Sequence, residues 1–205
     1  MTARFRSSQL GRFVVVAPLA ALSLAGCGLN SVPTAEENVN AKWADVQSEY
    51  QRRSDLIPNL VETVRGYAKQ ESSVLAQVTQ ARADAGRVTL SAADLDDPEK
   101  VRACNDAQNR LTTAIIPLQR LQEAYPDLKS NQNFLTLQSQ IEGTENSILV
   151  SRRDYNEAVQ GYNTRIRTFP DAIGAKIFYG AKPKVPFEAA TGAQEAPKVD
   201  FNPAG

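Results

Sequence analysis

Apolar residues return every three or four positions through most of the chain, the period of one face of an α-helix rather than of a strand. From Thr34 the stripe reads Val39, Trp43, Val46, Tyr50, Ile57, Leu60, Val64, Tyr67, Val74, Val78 and Ala85. Thr34, with Glu36 and Glu37 behind it, has the form of a capping box, so the pattern predicts one long helix from there to near Gly86. A helix of that length cannot bury its stripe alone and needs partner helices. Residues 88–96 read as a linker, closed by Asp97 and Pro98, an acid at a cap followed by proline at the first helical position. A second helix runs to about Tyr125 with Val101, Cys104, Leu111, Ile115, Leu118 and Leu121 inward, and Pro126 stops it. A third starts near Ser130 and carries Phe134, Leu137, Ile141, Ile148, Tyr155, Val159, Tyr162 and Ile166 as far as Phe169 and Pro170.

Residues 170–180 predict a short fourth helix with Ile173, Ile177 and Phe178 facing the bundle. Over 181–205, prolines replace any helical period. That segment reads as an extended, partly disordered tail laid along the helices through Val185, Phe187, Val199 and Phe201. The expected fold class is all-α: an elongated antiparallel three-helix bundle, up-down-up, over residues 34–180, with the short fourth helix and the tail appended.

The stretch from Arg52 to Tyr67 departs from a plain helix because it carries Arg53, Asp55, Pro58 and Asn59. Proline removes a donor and crowds the carbonyl four residues earlier, so Pro58 is expected to kink or interrupt the helix. Arg53, Glu71, Glu145 and Arg152 fall in register with apolar stripes, where an unpaired charge is costly. Two readings follow: a buried polar network that fixes helix register, or a partner groove lined by Arg53, Asp55, Asn59 and Arg152. Asp94, Asp96, Asp97 and Glu99 lack the central glycine and distal glutamate of a calcium loop and read as helix-start acids. Cys104 reads as a small buried apolar residue. Trp43, Tyr50, Tyr67, Tyr155 and Tyr162 sit at core spacing, with headgroup contact as the alternative for Trp43.

The N-terminus changes the address. Arg4, Arg6 and Arg12 precede an apolar run over 13–25, too short to span a bilayer core of about 20 residues. It ends in Leu24, Ala25, Gly26 and Cys27, which resembles a bacterial lipobox. The resemblance implies a signal peptide over 1–26, cleavage before Cys27, and acylation of that cysteine, with residues 27–33 as a lipidated tether. Multiple acyl chains make such an anchor stable. Gly28 in place of aspartate favours the outer membrane in a Gram-negative host.

Charge and composition then remove function classes. The 205 residues hold 23 basic and 23 acidic side chains; without the three N-terminal arginines the balance is 20 to 23, a net of −3. No basic run exceeds two residues, which disfavours a concentrated nucleic-acid face. The absence of histidine removes the commonest general base and metal ligand. No metal, cofactor or catalytic residue is expected.

Arg53 to Val61, Tyr125 to Lys129 with Asn131, Asn133 and Phe134, and Glu145, Asn146, Arg152, Tyr155, Asn156, Tyr162, Asn163, Phe169 and Pro170 together resemble the LemA family of bacterial envelope proteins. The resemblance covers about Ala41 to Phe201 and implies a bundle of long helices exposed outside the cytoplasmic membrane. The lipobox departs from relatives that keep an N-terminal membrane helix, and Pro117 departs within the second helix. The function expected is a non-enzymatic lipoprotein whose bundle docks an unknown envelope protein partner, with the membrane as its other partner through the N-terminal lipid. The alternatives are a bundle that binds a small amphiphile, or a carboxylate-dependent hydrolase.

Overall fold

The computed structural model describes residues 30–188, and every regular element among them is helical. In chain order these are α1 (Ser31–Tyr67), α2 (Ser72–Arg87), a 3₁₀ turn (Ala92–Asp96), α3 (Pro98–Ala124), α4 (Pro126–Lys129), α5 (Gln132–Arg165), α6 (Asp171–Gly174) and a π turn (Ala175–Tyr179). The all-α class is as expected. Cys27, the signal segment, the start of the tether through Leu29, Val199 and Phe201 lie outside the described residues, and residues 31–33 of the expected tether belong to α1 instead.

The single long first helix is corrected to two. From the buried Val64 and Ala68, the next positions on the same face are Glu71 and Ser72, both polar, and the chain leaves the helix there. Ala68 and Glu71 close a tight turn, with the Glu71 amide donating to the Ala68 carbonyl at 3.1 Å. Helix α2 then restarts the stripe at Leu75 and Val78. The helix is therefore interrupted at residues 68–71, while α1 runs through Pro58 and α3 through Pro117. The start signal is also corrected: α1 opens at Ser31, and the Thr34 hydroxyl donates back to the Asn30 carbonyl at 2.7 Å instead of capping. The end expected near Gly86 falls at Arg87, with Val88 as the cap at φ −95°.

The chain forms two compact units. One comprises residues through Val46 with Ser151–Lys184; the other comprises Gln47–Val150 and the chain from Val185.

In the second unit the core joins four helices, not three. It contains Ile57, Leu60, Val61 and Val64 of α1, Leu75 and Val78 of α2, Leu111, Ile115 and Leu118 of α3, and Phe134 and Ile141 of α5. Fully burying one such side chain contributes roughly 1.5–3 kcal/mol. Side-chain bonds give the directions: Arg53 reaches Gln108 and Thr112 of α3 and Glu145 of α5. One end further along, Tyr125 reaches Glu71 and Asn131 reaches Tyr67. Thus α3 runs parallel to this part of α1 and α5 runs against it, so the order is up-down-up-down once α2 is counted. The predicted linker is partly structured. Leu90 and Leu95 are buried, and Asp94 Oδ2 accepts from the Ser91 amide at 2.9 Å and the Ser91 hydroxyl at 2.6 Å.

In the first unit the start of α1 packs antiparallel on the end of α5. Trp43 and Tyr155 meet edge to face with ring centroids 5.9 Å apart, and both are buried. Trp43 is therefore core, not a headgroup contact. Burial pushes the Tyr155 phenol up from its usual value. Tyr50 and Tyr162 are buried as their spacing predicts, whereas Tyr67 is 44% exposed. Ile173, Ile177 and Phe178, expected to face inward, are exposed instead; only Gly174 and Ala175 of that segment are buried.

Candidate functional site

Arg53 stands where the α1 stripe of Tyr50 and Ile57 places it, and it is 1% exposed. Its Nη1 donates to Thr112 Oγ1 and to Glu145 Oε1, each at 2.7 Å, and its Nη2 donates to Gln108 Oε1 at 2.5 Å. The guanidinium carbon lies 5.5 Å from the Tyr50 ring centroid, within cation–π range. Thr112 is also 3.4 Å from Glu145 Oε2, which closes the cluster between α3 and α5. The buried Arg53 Nε finds no acceptor among the described residues. The Glu145 side chain is 27% exposed, so the network opens to solvent at its acidic end. Chemically this arrangement holds three helices together through a charge-assisted fork.

The other expected site residues do not all join it. Asp55, Pro58 and Asn59 are exposed, because at 100° per residue they point away from the Arg53 face. Asp55 accepts from Gln51 Nε2 at 2.7 Å, and the Asn59 carbonyl accepts from the Thr63 hydroxyl at 2.8 Å. A single groove that includes Arg53, Asp55 and Asn59 is thereby corrected. Arg152, half-buried, belongs to the first unit.

Glu71 belongs to a second constellation at the α1–α2 turn. Tyr125 donates its hydroxyl to Glu71 Oε1 at 3.1 Å, and this bond, before burial and charge, raises the Tyr125 pKa. Asn131 Nδ2 donates to the Tyr67 hydroxyl at 2.8 Å, while its Oδ1 accepts the Phe134 amide at 2.9 Å and opens α5. The motif residues Tyr125 and Asn131 thus lock the ends of two connections.

Several participants escaped the sequence reading. Gln108 and Thr112 follow Cys104 at helical spacing, and that polar pair on an inner face was the available signal. Asn163 in the first unit donates Nδ2 to the Lys184 carbonyl at 2.8 Å and accepts the Lys184 amide at 2.9 Å. Lys184 is itself buried, with its ammonium 3.1 Å from Glu36. No local pattern announces this pairing across 21 residues.

The acidic run near α3 is structural. Asp97 Oδ1 accepts from the Glu99 amide at 3.0 Å and the Lys100 amide at 3.3 Å. Asp94 pairs with Lys100, and bonds from Lys100 and then Ser91 hold its carboxyl well below the usual range. Among the described residues no group of three or more His, Cys, Asp and Glu side chains is placed to hold a metal ion. An open cleft of about 630 Å³ in the first unit sets Asp154 and Glu157 beside Lys42 and Arg165. No helix among the described residues is long and apolar enough to cross a membrane.

Comparison with known proteins bears on these features. The model of the LemA family matches residues 42–201. Protein LemA of Metamycoplasma hominis is 27% identical over 60% of this chain and 52% of its own length. Two proteins of Paramagnetospirillum magneticum, Magnetosome protein MamQ 1 and MamQ 2, are each 26% identical over 69% of this chain and 58% of their own. The chain spans a little over half the length of these relatives.

Proposed function

The chain belongs to the LemA family, and from that premise we propose that it is a non-enzymatic, membrane-attached protein of the bacterial cell envelope, held by lipid on Cys27, whose helical body docks an envelope partner. The observation that carries the reading is the placement of charge and apolar surface. Arg53, the deepest charge in the second unit, spends its donors on Gln108, Thr112 and Glu145. Leu149 and Val150, adjacent on α5, stay 65% and 49% exposed. Catalysis by proton transfer needs a poised and reachable acid or base. Here the engaged ionic groups brace helices, and Leu149 and Val150 offer apolar surface outward, which suits recognition.

The lipobox ending at Cys27 supports the anchor, and Gly28 supports an outer-membrane address in a Gram-negative host. Among the described residues a hydrolase would draw on Asp154 and Glu157, whose cleft is open and shared with two cations.

Two measurements test the proposal. Mass spectrometry of the protein extracted from membranes is expected to find Cys27 acylated at a new N-terminus, and Cys27→Ser is expected to leave the precursor uncleaved. A photo-crosslinking residue at Leu149 in intact cells is expected to give one discrete adduct that the same residue at the exposed Asp55 does not. An unmodified Cys27 ends the lipoprotein reading, and indiscriminate adducts at both positions end the docking reading.

A further inference from the structure

The segment after α5 presents an unusual surface. Phe169, Ile173, Ile177, Phe178 and Tyr179 are exposed by 80%, 52%, 69%, 67% and 44% within eleven residues. Isolated exposed apolar side chains are ordinary, but five in one short segment mark an interaction surface. The backbone explains why they point outward. Gly174 and Ala175 are the buried contacts of the segment, and Gly180, at φ +55°, reverses the chain where the Ala181 amide returns to the Ala175 carbonyl at 3.0 Å. The large side chains are therefore displayed on a stub whose small residues seat it.

Charge distinguishes what covers it. Residues 165–182 hold Arg165, Arg167, Lys176 and Lys182 against one acid, Asp171. Asp171 lies 3.8 Å from Arg165 with its side chain 18% exposed, while Arg167, Lys176 and Lys182 are exposed, so the segment's own outward charges are cationic. Aromatic and aliphatic side chains ringed by Lys and Arg have the chemistry of an interfacial segment on anionic lipid.

Position agrees. Ser31 and Arg165 line the same cleft, so the stub after Arg165 lies at the end of the first unit where the chain enters α1. Cys27 precedes Ser31 by four residues, a reach of at most about 14 Å.

We propose that Phe169, Ile173, Ile177 and Phe178, flanked by Arg167, Lys176 and Lys182, form a membrane-surface wedge that inserts into the headgroup region of an anionic leaflet. It gives the first unit a second hold on the bilayer beside its N-terminal entry. The address rests on the lipid-anchored reading proposed above; the wedge geometry does not.

The test uses the full-chain protein from membranes, reconstituted in vesicles of phosphatidylcholine and phosphatidylglycerol with brominated acyl chains. Ile177→Trp reports the wedge, Leu149→Trp reports a comparably exposed site in the second unit, and the parent, whose single Trp43 is buried, supplies the baseline. Thermal melts matching the parent confirm folding of each variant. The emission added at 177 is expected to shift blue and to be strongly quenched by the brominated lipid, with none of this at 149. Arg167→Gln, Lys176→Gln and Lys182→Gln together are expected to reduce quenching at 177 on anionic vesicles and to leave neutral ones unchanged. A blue shift at 177 without lipid quenching means that protein covers the stub and overturns the proposal. Equal quenching at 149 and 177 means general adhesion and overturns it too. Mass spectrometry of the same sample reads Cys27 separately, so an unmodified cysteine sinks the anchor while quenching confined to 177 still upholds the wedge.

Discussion

Arg82 donates from Nε to the carbonyl oxygen of Ser54 at 2.8 Å, and Ser54 is the residue four positions before Pro58. In a regular helix that oxygen accepts the amide of residue 58, which proline lacks. α2 therefore supplies the donor that α1 cannot, and α1 crosses Pro58 without interruption. Arg82→Met is expected to destabilise the protein by about 1–2 kcal/mol. In a Pro58→Ala background the same substitution is expected to cost clearly less, because the alanine amide restores the acceptor's partner. A denaturant-unfolding double-mutant cycle reads the difference, and equal costs in both backgrounds would refute the coupling.

Removal of Arg53 leaves Glu145, Gln108 and Thr112 without their shared donor. Arg53→Met is expected to cost about 3–5 kcal/mol, since one member of a buried pair is taken away. Glu145→Gln is expected to cost about 1–2 kcal/mol, because the amide oxygen still accepts and the position is partly solvated. Chemical denaturation checks the order. An Arg53→Met protein of unchanged stability would move the residue from bracing helices to binding.

The Asp94–Lys100 pair makes a pH prediction with a definite sign. Bonds from Lys100 and Ser91 lower the folded carboxyl below its ordinary 3.8, so its contribution is present above that value and is lost as pH falls through the folded pKa. Lys100 is raised from 10.5, chiefly by Asp94, so its contribution is present below 10.5 and is lost as pH rises through the folded value. Asp94→Asn is expected to lower the melting temperature at neutral pH, with the gap to the parent narrowing below pH 3.8. Melting curves at pH 7 and in strong acid decide it; a constant gap contradicts the pairing.

Asn163 holds the backbone of Lys184 from both sides. Asn163→Ala is expected to release the segment from 181 to 184 locally, at about 1–2 kcal/mol for two bonds. The Lys184 amide is then expected to exchange hydrogen faster while the amides of the Leu60 and Leu111 turns keep their protection. Unchanged exchange at Lys184 would show that the lysine's ion pair with Glu36 suffices.

Legibility followed locality. Asp97 and Pro98 open α3 as read, because a cap and its amides lie within three residues. Cys104 is buried as its register implied. Arg53 and Glu145 were both marked as charges on inner stripes, but their pairing joins residues 92 positions apart and has no local signature. The break at 68–71 was hidden by the stripe itself. Tyr67 to Val74 is seven residues, two helical turns, a spacing met equally by a continuous helix and by one that folds back and restarts.

The sequence by itself determined the helical class, the inner faces of the long helices and the lack of histidine, because period, caps and composition are properties of neighbours in the chain. Only the tertiary structure decided that α1 and α2 are separate, that Arg82 serves the carbonyl beneath Pro58, and that Ile173, Ile177 and Phe178 point outward. Those outcomes depend on which surface each helix finds to bury against. A short apolar segment has the same pattern whether a core or a membrane receives it.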